Sequence, residues 1–129
     1  MRILLDTHAI IWIMNDDRRL GPAVRKAVAS RDNLVYVSAA SVWEASIKFR
    51  LGRFPEAAAL LDNPRRVLDA LTMEELPISL DHARLAGSIA HPHKDPFDRM
   101  LAAQAILSGV TLASADSFFD SLPLTRIWL

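Results

Sequence analysis

Apolar residues occur in two rhythms along this chain, short unbroken runs and longer stretches at helical spacing. Arg2-Ile3-Leu4-Leu5-Asp6 is a short run closed by an acid, and it predicts a buried strand. After Thr7-His8, the residues Ile10, Ile11, Ile13 and Met14 suit one face of a short helix, which ends in a turn at Asn15-Asp16-Asp17. Leu20, Val24, Ala27 and Val28 recur at helical spacing around Pro22, whose missing N–H costs nothing in a first turn. Leu34-Val35-Tyr36-Val37 has the β-branched and aromatic content of a second buried strand.

Ser38 or Ser41 is the expected cap of a helix over Ala40 to Leu51 that stops at Gly52. Glu56 to Leu61 and Arg65 to Met73 form two helical pieces split at Asn63-Pro64, because the residue before proline resists helical dihedrals. Leu76-Pro77-Ile78 is expected to be extended. Asp81 is the expected cap of a helix turning Ala83, Leu85, Ala86 and Ile89 inward, which His91-Pro92-His93-Lys94-Asp95-Pro96 interrupts. A helix from Phe97 to Ser108 should end at Gly109 and lead into a strand over Val110 to Ala113. Asp116 to Phe119 suits a loop or short turn, and Thr125 to Trp128 a last strand at the sheet edge. Trp12, Trp43 and Trp128 lie in apolar segments and are expected in the core rather than stacked on bases. Strands alternating with helices in this way predict a parallel sheet covered on both faces, an α/β fold in three α/β/α layers.

Composition narrows the reading. The 129 residues suit one domain over 1–129, and 51% hydrophobic content with only 4 Gly and 7 Pro argues for a packed core and against disorder. Fifteen basic residues balance fifteen acidic ones, so no global field draws the chain to a polyanion. The absence of Cys removes disulfides, thiolate catalysis and Cys-rich zinc sites, and leaves oxygen and imidazole ligands. His8, His82, His91 and His93 lack the spacing of a zinc set. Met1-Arg2-Ile3-Leu4-Leu5-Asp6 meets an acid too early for a signal peptide, and no long apolar run follows, so a cytoplasmic protein without a membrane role is expected.

The acids carry the candidate chemistry. Asp6 and Asp116 close predicted strands, and Glu44 and Asp98 enter predicted helices near the same sheet edge, where parallel α/β sheets bind ligands. Three of these acids have a plainer reading. Asp6 caps the helix after it, Glu44 completes a capping box with Ser41, and Asp98 favours a helix dipole by roughly 0.3–1 kcal/mol. Capping accounts for them singly, whereas four carboxylates at close range repel unless protonated or held by a cation. Oxygen donors without Cys favour Mg²⁺ or Mn²⁺, and such a site fits phosphodiester hydrolysis.

Met1-Arg2-Ile3-Leu4-Leu5-Asp6-Thr7-His8-Ala9 with Trp12, Ser38-Ala39-Ala40-Ser41-Val42-Trp43-Glu44-Ala45, His93-Lys94-Asp95-Pro96-Phe97-Asp98-Arg99 and Ser114-Ala115-Asp116 together resemble the PIN-domain ribonucleases of the VapC toxin group. The resemblance spans essentially the whole chain and implies a five-stranded parallel sheet between helices. It places Asp6, Glu44, Asp98 and Asp116 as the acidic quartet around Mg²⁺ or Mn²⁺, in an endoribonuclease toxin that dimerises and is inhibited by a small VapB-type antitoxin. Ser114 stands where many relatives carry Thr, which keeps the hydroxyl. Asp95 is an extra acid beside Asp98, expected to anchor the loop or pair with a neighbouring base.

Thr7 and Ser38 are candidates to support the site, with local turn bonds as their plainer alternative. Lys48, Arg50, Arg53, His93, Lys94 and Arg99 are candidates to contact RNA, with surface solubility as the plainer alternative. His91 and His93 also suit a face toward RNA or the antitoxin. Two rival functions remain open: a PIN-like nuclease for RNA processing or structured DNA, and a catalytically inactive protein-interaction domain.

Overall fold

Leu4 and Leu5 are fully enclosed because the strand that carries them lies at the centre of a sheet. In this computed structural model, which describes residues 1–129, the strands are β1 (Arg2–Leu5), β2 (Leu34–Ser38), β3 (Glu74–Leu76), β4 (Thr111–Ala113) and β5 (Arg126–Ile127). All neighbours run parallel, in the order β3-β2-β1-β4-β5. The helices are α1 (Thr7–Met14), α2 (Pro22–Ala29), α3 (Ala39–Arg50), α4 (Ala58–Asp62), α5 (Pro64–Ala70), α6 (Leu80–Ser88) and α7 (Pro96–Ser108).

Alternation along the central strand divides the core in two. Ile3 and Leu5 pack with Ile10, Ile11, Val24, Leu60 and Leu68, drawn from α1, α2, α4 and α5. Leu4 turns to the opposite face and packs with Leu101, Ala102 and Ala105 of α7, and with Leu112 and Phe119. Each enclosed Leu or Ile contributes roughly 1.5–3 kcal/mol over its exposed state. The three-layer α/β/α fold with a five-stranded parallel sheet expected from the sequence is therefore present.

Register then aims the site. Leu5 lies opposite both Val37 and Ala113, so Asp6, Ser38 and Ser114 follow side by side at the carboxyl edge of the sheet. The Asp6 amide donates to the Ala113 carbonyl at 3.0 Å and holds this edge closed.

Four local expectations are corrected. The third strand covers Glu74–Leu76 rather than Leu76 to Ile78; it is a sheet border with Glu74 and Glu75 exposed, so no apolar run announced it. The cap of α6 is Ser79 and not Asp81: Ser79 Oγ accepts from the His82 amide, and His82 Nδ1 accepts from the Ser79 amide in return. His82 is accordingly buried on this helix while Ala83 faces outward. Trp12 and Trp128 pack against the core, but Trp43 is 61% exposed and meets Phe97 edge-on at 5.0 Å. The buried face of α3 consists of Ala40, Ser41, Glu44 and Ala45, and Trp43 falls outside that stripe.

Gly21 precedes α2 where the C-terminal backbone crosses it. A Cβ at Gly21 would lie 1.9 Å from the Trp128 carbonyl oxygen, so only glycine allows this approach.

Candidate active site

Asp6 lies at the end of β1 and accepts the Ala9 amide at 2.8 Å, capping α1. It is therefore both a helix cap and a site carboxylate. Burial pushes its pKa up, against hydrogen bonds from the Ser114 hydroxyl and the Ala9 amide and the field of His8. Ser114, fully buried, also accepts the Asp116 amide at 3.1 Å, so one hydroxyl links the two strand-end acids.

Glu44 is buried in α3, and the expected capping box with Ser41 is absent because Ser38 caps the helix by accepting the Ala40 amide. Both Glu44 oxygens are engaged elsewhere. The Thr7 hydroxyl donates to Oε1 at 2.6 Å, and Lys48 Nζ donates to Oε2 at 2.6 Å. Thr7 Oγ1 also lies 3.1 Å from Ser41 Oγ, so α1 and α3 are joined beneath the site.

Asp98 enters from the first turn of α7, whose cap Asp95 accepts the amides of Phe97 and Asp98. Asp95 thus caps α7 from the loop before it. Burial, first, pushes the Asp98 carboxyl up to about 6; the charges of Asp95 and Glu44 add to this, and the hydrogen bond with His93 opposes it. His93 Nε2 lies 3.0 Å from Asp98 Oδ2. One ligand atom each from His93, Asp98 and Asp116 lie within 4.8 Å of one another. Asp116, exposed after β4, accepts the Phe118 amide and starts a short 3-10 turn over Ser117–Ser121.

Asp6, Thr7, His8, Glu44, Lys48, Asp95, Asp98 and Asp116 line one cleft of about 130 Å³, with no apolar side chain among them. His8 joins this cleft without any local sequence signal that marks it, whereas the i,i+4 spacing of Glu44 and Lys48 already signals their pair. Arg50, Arg53 and Lys94 are exposed and line no part of the cleft. Arg99 differs from its expected role as an RNA contact: its guanidinium donates to the carbonyls of Ala86, Ile89, His91 and His93, which straps the loop before α7. A guanidinium committed to four carbonyls is not free to bind a phosphate in a planar fork.

A parallel α/β/α sheet with acids gathered in a polar cleft at its carboxyl edge has that cleft where folds of this kind bind their ligands. The chain belongs to the PIN-domain family, whose profile matches residues 3–123. Comparison with curated protein sequences gave no significant match. Among solved structures the fold is similar to VapBC2 from Rickettsia felis, bound to a DNA fragment from their promoter, at 16% identity over 100% of both chains and a TM-score of 0.68. It is also similar to FitAcB from Neisseria gonorrhoeae, at 20% identity over 97% of this chain and 96% of that one, with a TM-score of 0.65. VapC20 from Mycobacterium tuberculosis, described as a sarcin-ricin loop cleaving toxin, aligns at 14% identity over 98% of this chain and 99% of that one, with a TM-score of 0.70. At these identities the likeness is one of fold. No helix is long and apolar enough to cross a membrane.

Proposed function

We propose that this protein is a metal-dependent endoribonuclease of the VapC toxin type, hydrolysing RNA phosphodiester bonds and inhibited by a VapB-type antitoxin. The observation that carries this reading is the wholly polar cleft shared by Asp6, Glu44, Asp98 and Asp116. Its chemistry fits a hard divalent ion, Mg²⁺ or Mn²⁺. The donors are mainly carboxylate oxygens, and the upward pKa displacement of Asp6 and Asp98 marks negative charge that burial penalises without a cation. When bound there, such an ion lowers the pKa of an attacking water and offsets charge on the phosphoryl oxygens.

The chain's own residues supply the rest. Asp6, Asp98 and Asp116 would hold the ion. Thr7 fixes one Glu44 oxygen and Lys48 pairs with the other, and all three residues line the cleft. Lys48 brings positive charge to a surface that a polyanion would otherwise avoid. Arg99 acts indirectly, by holding the loop that carries His93 and Asp95. The toxin reading gains support from the fold shared with VapBC2, FitAcB and VapC20. The apolar surface around Trp43, Ile78 and Phe97, bordering a cavity of about 210 Å³, supports a protein partner, the antitoxin or the second copy of a homodimer.

Incubation with single-stranded RNA and with flap DNA, in Mg²⁺, Mn²⁺ or EDTA, tests the assignment. RNA cleavage that requires the cation is expected, and sequencing of the ends would define the cut. Preferential cleavage of the flap would favour a structured-DNA nuclease, and no cleavage of either would favour an inactive interaction domain.

Lys48 gives a second prediction. In a cleavage-dead background, Lys48→Gln should weaken RNA binding across sequences and make the log K against log salt slope shallower by about 0.7, the increment for one phosphate contact on a single strand. Fluorescence anisotropy over a salt series measures this. An unchanged slope would remove Lys48 from the RNA-contacting set.

A further inference from the structure

Beside the cleft, an imidazole in the loop before α7 reaches two of its carboxylates, Asp98 and Asp116. His93 is 29% exposed at its side chain, and its ring packs against Phe118 with centroids 4.2 Å apart. Its backbone is held independently: the His93 carbonyl accepts from Arg99, and the His93 amide donates to His91 Nδ1. Aromatic packing and the Arg99 strap together leave Nε2 directed at Asp98 Oδ2, 3.0 Å away, with Asp116 in the same tight set.

We propose that His93 Nε2 is a direct ligand of the catalytic divalent ion, alongside Asp98 and Asp116, and that this nitrogen biases the site toward Mn²⁺ over Mg²⁺. The inference rests on the metal-dependent reading above and adds a donor and a metal preference to it. Two adjacent ligands of an octahedral ion with bonds of roughly 2.1 Å lie about 3.0 Å apart, and opposite ligands lie about 4.2 Å apart. The 3.0 Å between His93 Nε2 and Asp98 Oδ2 matches adjacent positions, and the 4.8 Å span of the three-residue set leaves modest closure for the third. The same pair is within hydrogen-bonding distance, a contact that keeps both groups in place.

A neutral imidazole nitrogen is a good ligand for transition ions, whereas Mg²⁺ prefers oxygen and keeps its waters. Glu44 fits this division of labour, because both of its oxygens are occupied by Thr7 and Lys48. Asp6 lines the same cleft but stands outside the three-residue set, with its charge partly balanced by the Ser114 hydroxyl and the Ala9 amide. A nitrogen donor therefore takes a position that a four-carboxylate scheme would give to Glu44.

The test is pulsed electron paramagnetic resonance of Mn²⁺ bound to the full-length protein, with metal affinities by titration calorimetry. Bound Mn²⁺ should show a ¹⁴N coupling in the wild type that disappears in His93→Gln. The same substitution should weaken Mn²⁺ binding by about 10- to 100-fold, the range seen when a group supporting a metal site is lost, while Mg²⁺ affinity changes less than about threefold. Bound Mn²⁺ without a nitrogen coupling in the wild type would overturn the ligand assignment and leave the carboxylate site standing. No binding of Mn²⁺ to the wild type, with Asp98→Asn behaving identically, would overturn the metal-dependent reading itself and His93 with it. The wild-type spectrum decides the matter even if His93→Gln folds poorly.

Discussion

Asp98→Asn is expected to lose roughly a thousandfold in RNA cleavage, the several kcal/mol of charge stabilisation that a missing metal ligand removes. The metal-free variant should nevertheless be more stable than the metal-free wild type at pH 7. The reason is the sign of the pKa displacement. The Asp98 carboxyl is raised from 3.8 to about 6, with burial the leading cause, so the folded state holds its proton more tightly than the unfolded chain does. Stability of the metal-free wild type therefore falls as pH rises through that window and stays lower above it. A neutral Asn avoids the burden. The carboxyl is partly reachable by water, and Asn also alters the contact with His93, so the net gain is on the order of 1 kcal/mol. Thermal unfolding in EDTA at pH 5 and pH 7, beside initial cleavage rates in Mg²⁺, measures both effects. Retained cleavage in Asp98→Asn with loss in Asp95→Asn would transfer the metal role to Asp95.

Gly21→Ala should be the most damaging small substitution away from the cleft. Its new methyl group would lie 1.9 Å from the Trp128 carbonyl oxygen and 2.6 Å from the carbonyl carbon, distances that no rotamer change relieves because both atoms are backbone. Either the segment after β5 or the start of α2 must move. Moving them disturbs Trp12 against Trp128 and the packing of Val24. A cost of about 3 kcal/mol follows from overpacking of this severity, which for a chain of this size lowers Tm by roughly 10 °C. Differential scanning calorimetry of the metal-free protein checks it. A Tm within two or three degrees of wild type, on the scale of an ordinary surface change, would show that the two segments separate freely.

The legible parts of the chain were those governed by local pattern. β1, β2, α2 and α7 follow from unbroken apolar runs, helical spacing, Pro22 and Gly109. The convergence of the acids on one edge followed from strand ends in a parallel sheet, since the register of Leu5 with Val37 and Ala113 leaves Asp6 and Ser114 adjacent. Trp43 departs from its expected core position because its apolar neighbours hide the phase of the helix, which the buried run Ala40, Ser41, Glu44 and Ala45 makes plain. The cap of α6 was obscured because His82, not Glu or Gln, answers Ser79. The orientation of His93 was beyond any local rule: it depends on an arginine six residues later reaching back to carbonyls of the preceding loop, and on Phe118 arriving from the far end of the chain.

The two borders of the sheet bear on how this protein can meet others. One border is only two residues long, and the other is the three-residue β3, where Glu74 and Glu75 are exposed and Arg65 pairs with Glu75. Short, charged margins give an incoming extended peptide little backbone to zip onto and a charge penalty for trying. The sheet borders therefore offer little to β-strand addition or amyloid-like stacking, and a protein partner is left the outer surfaces of the helices.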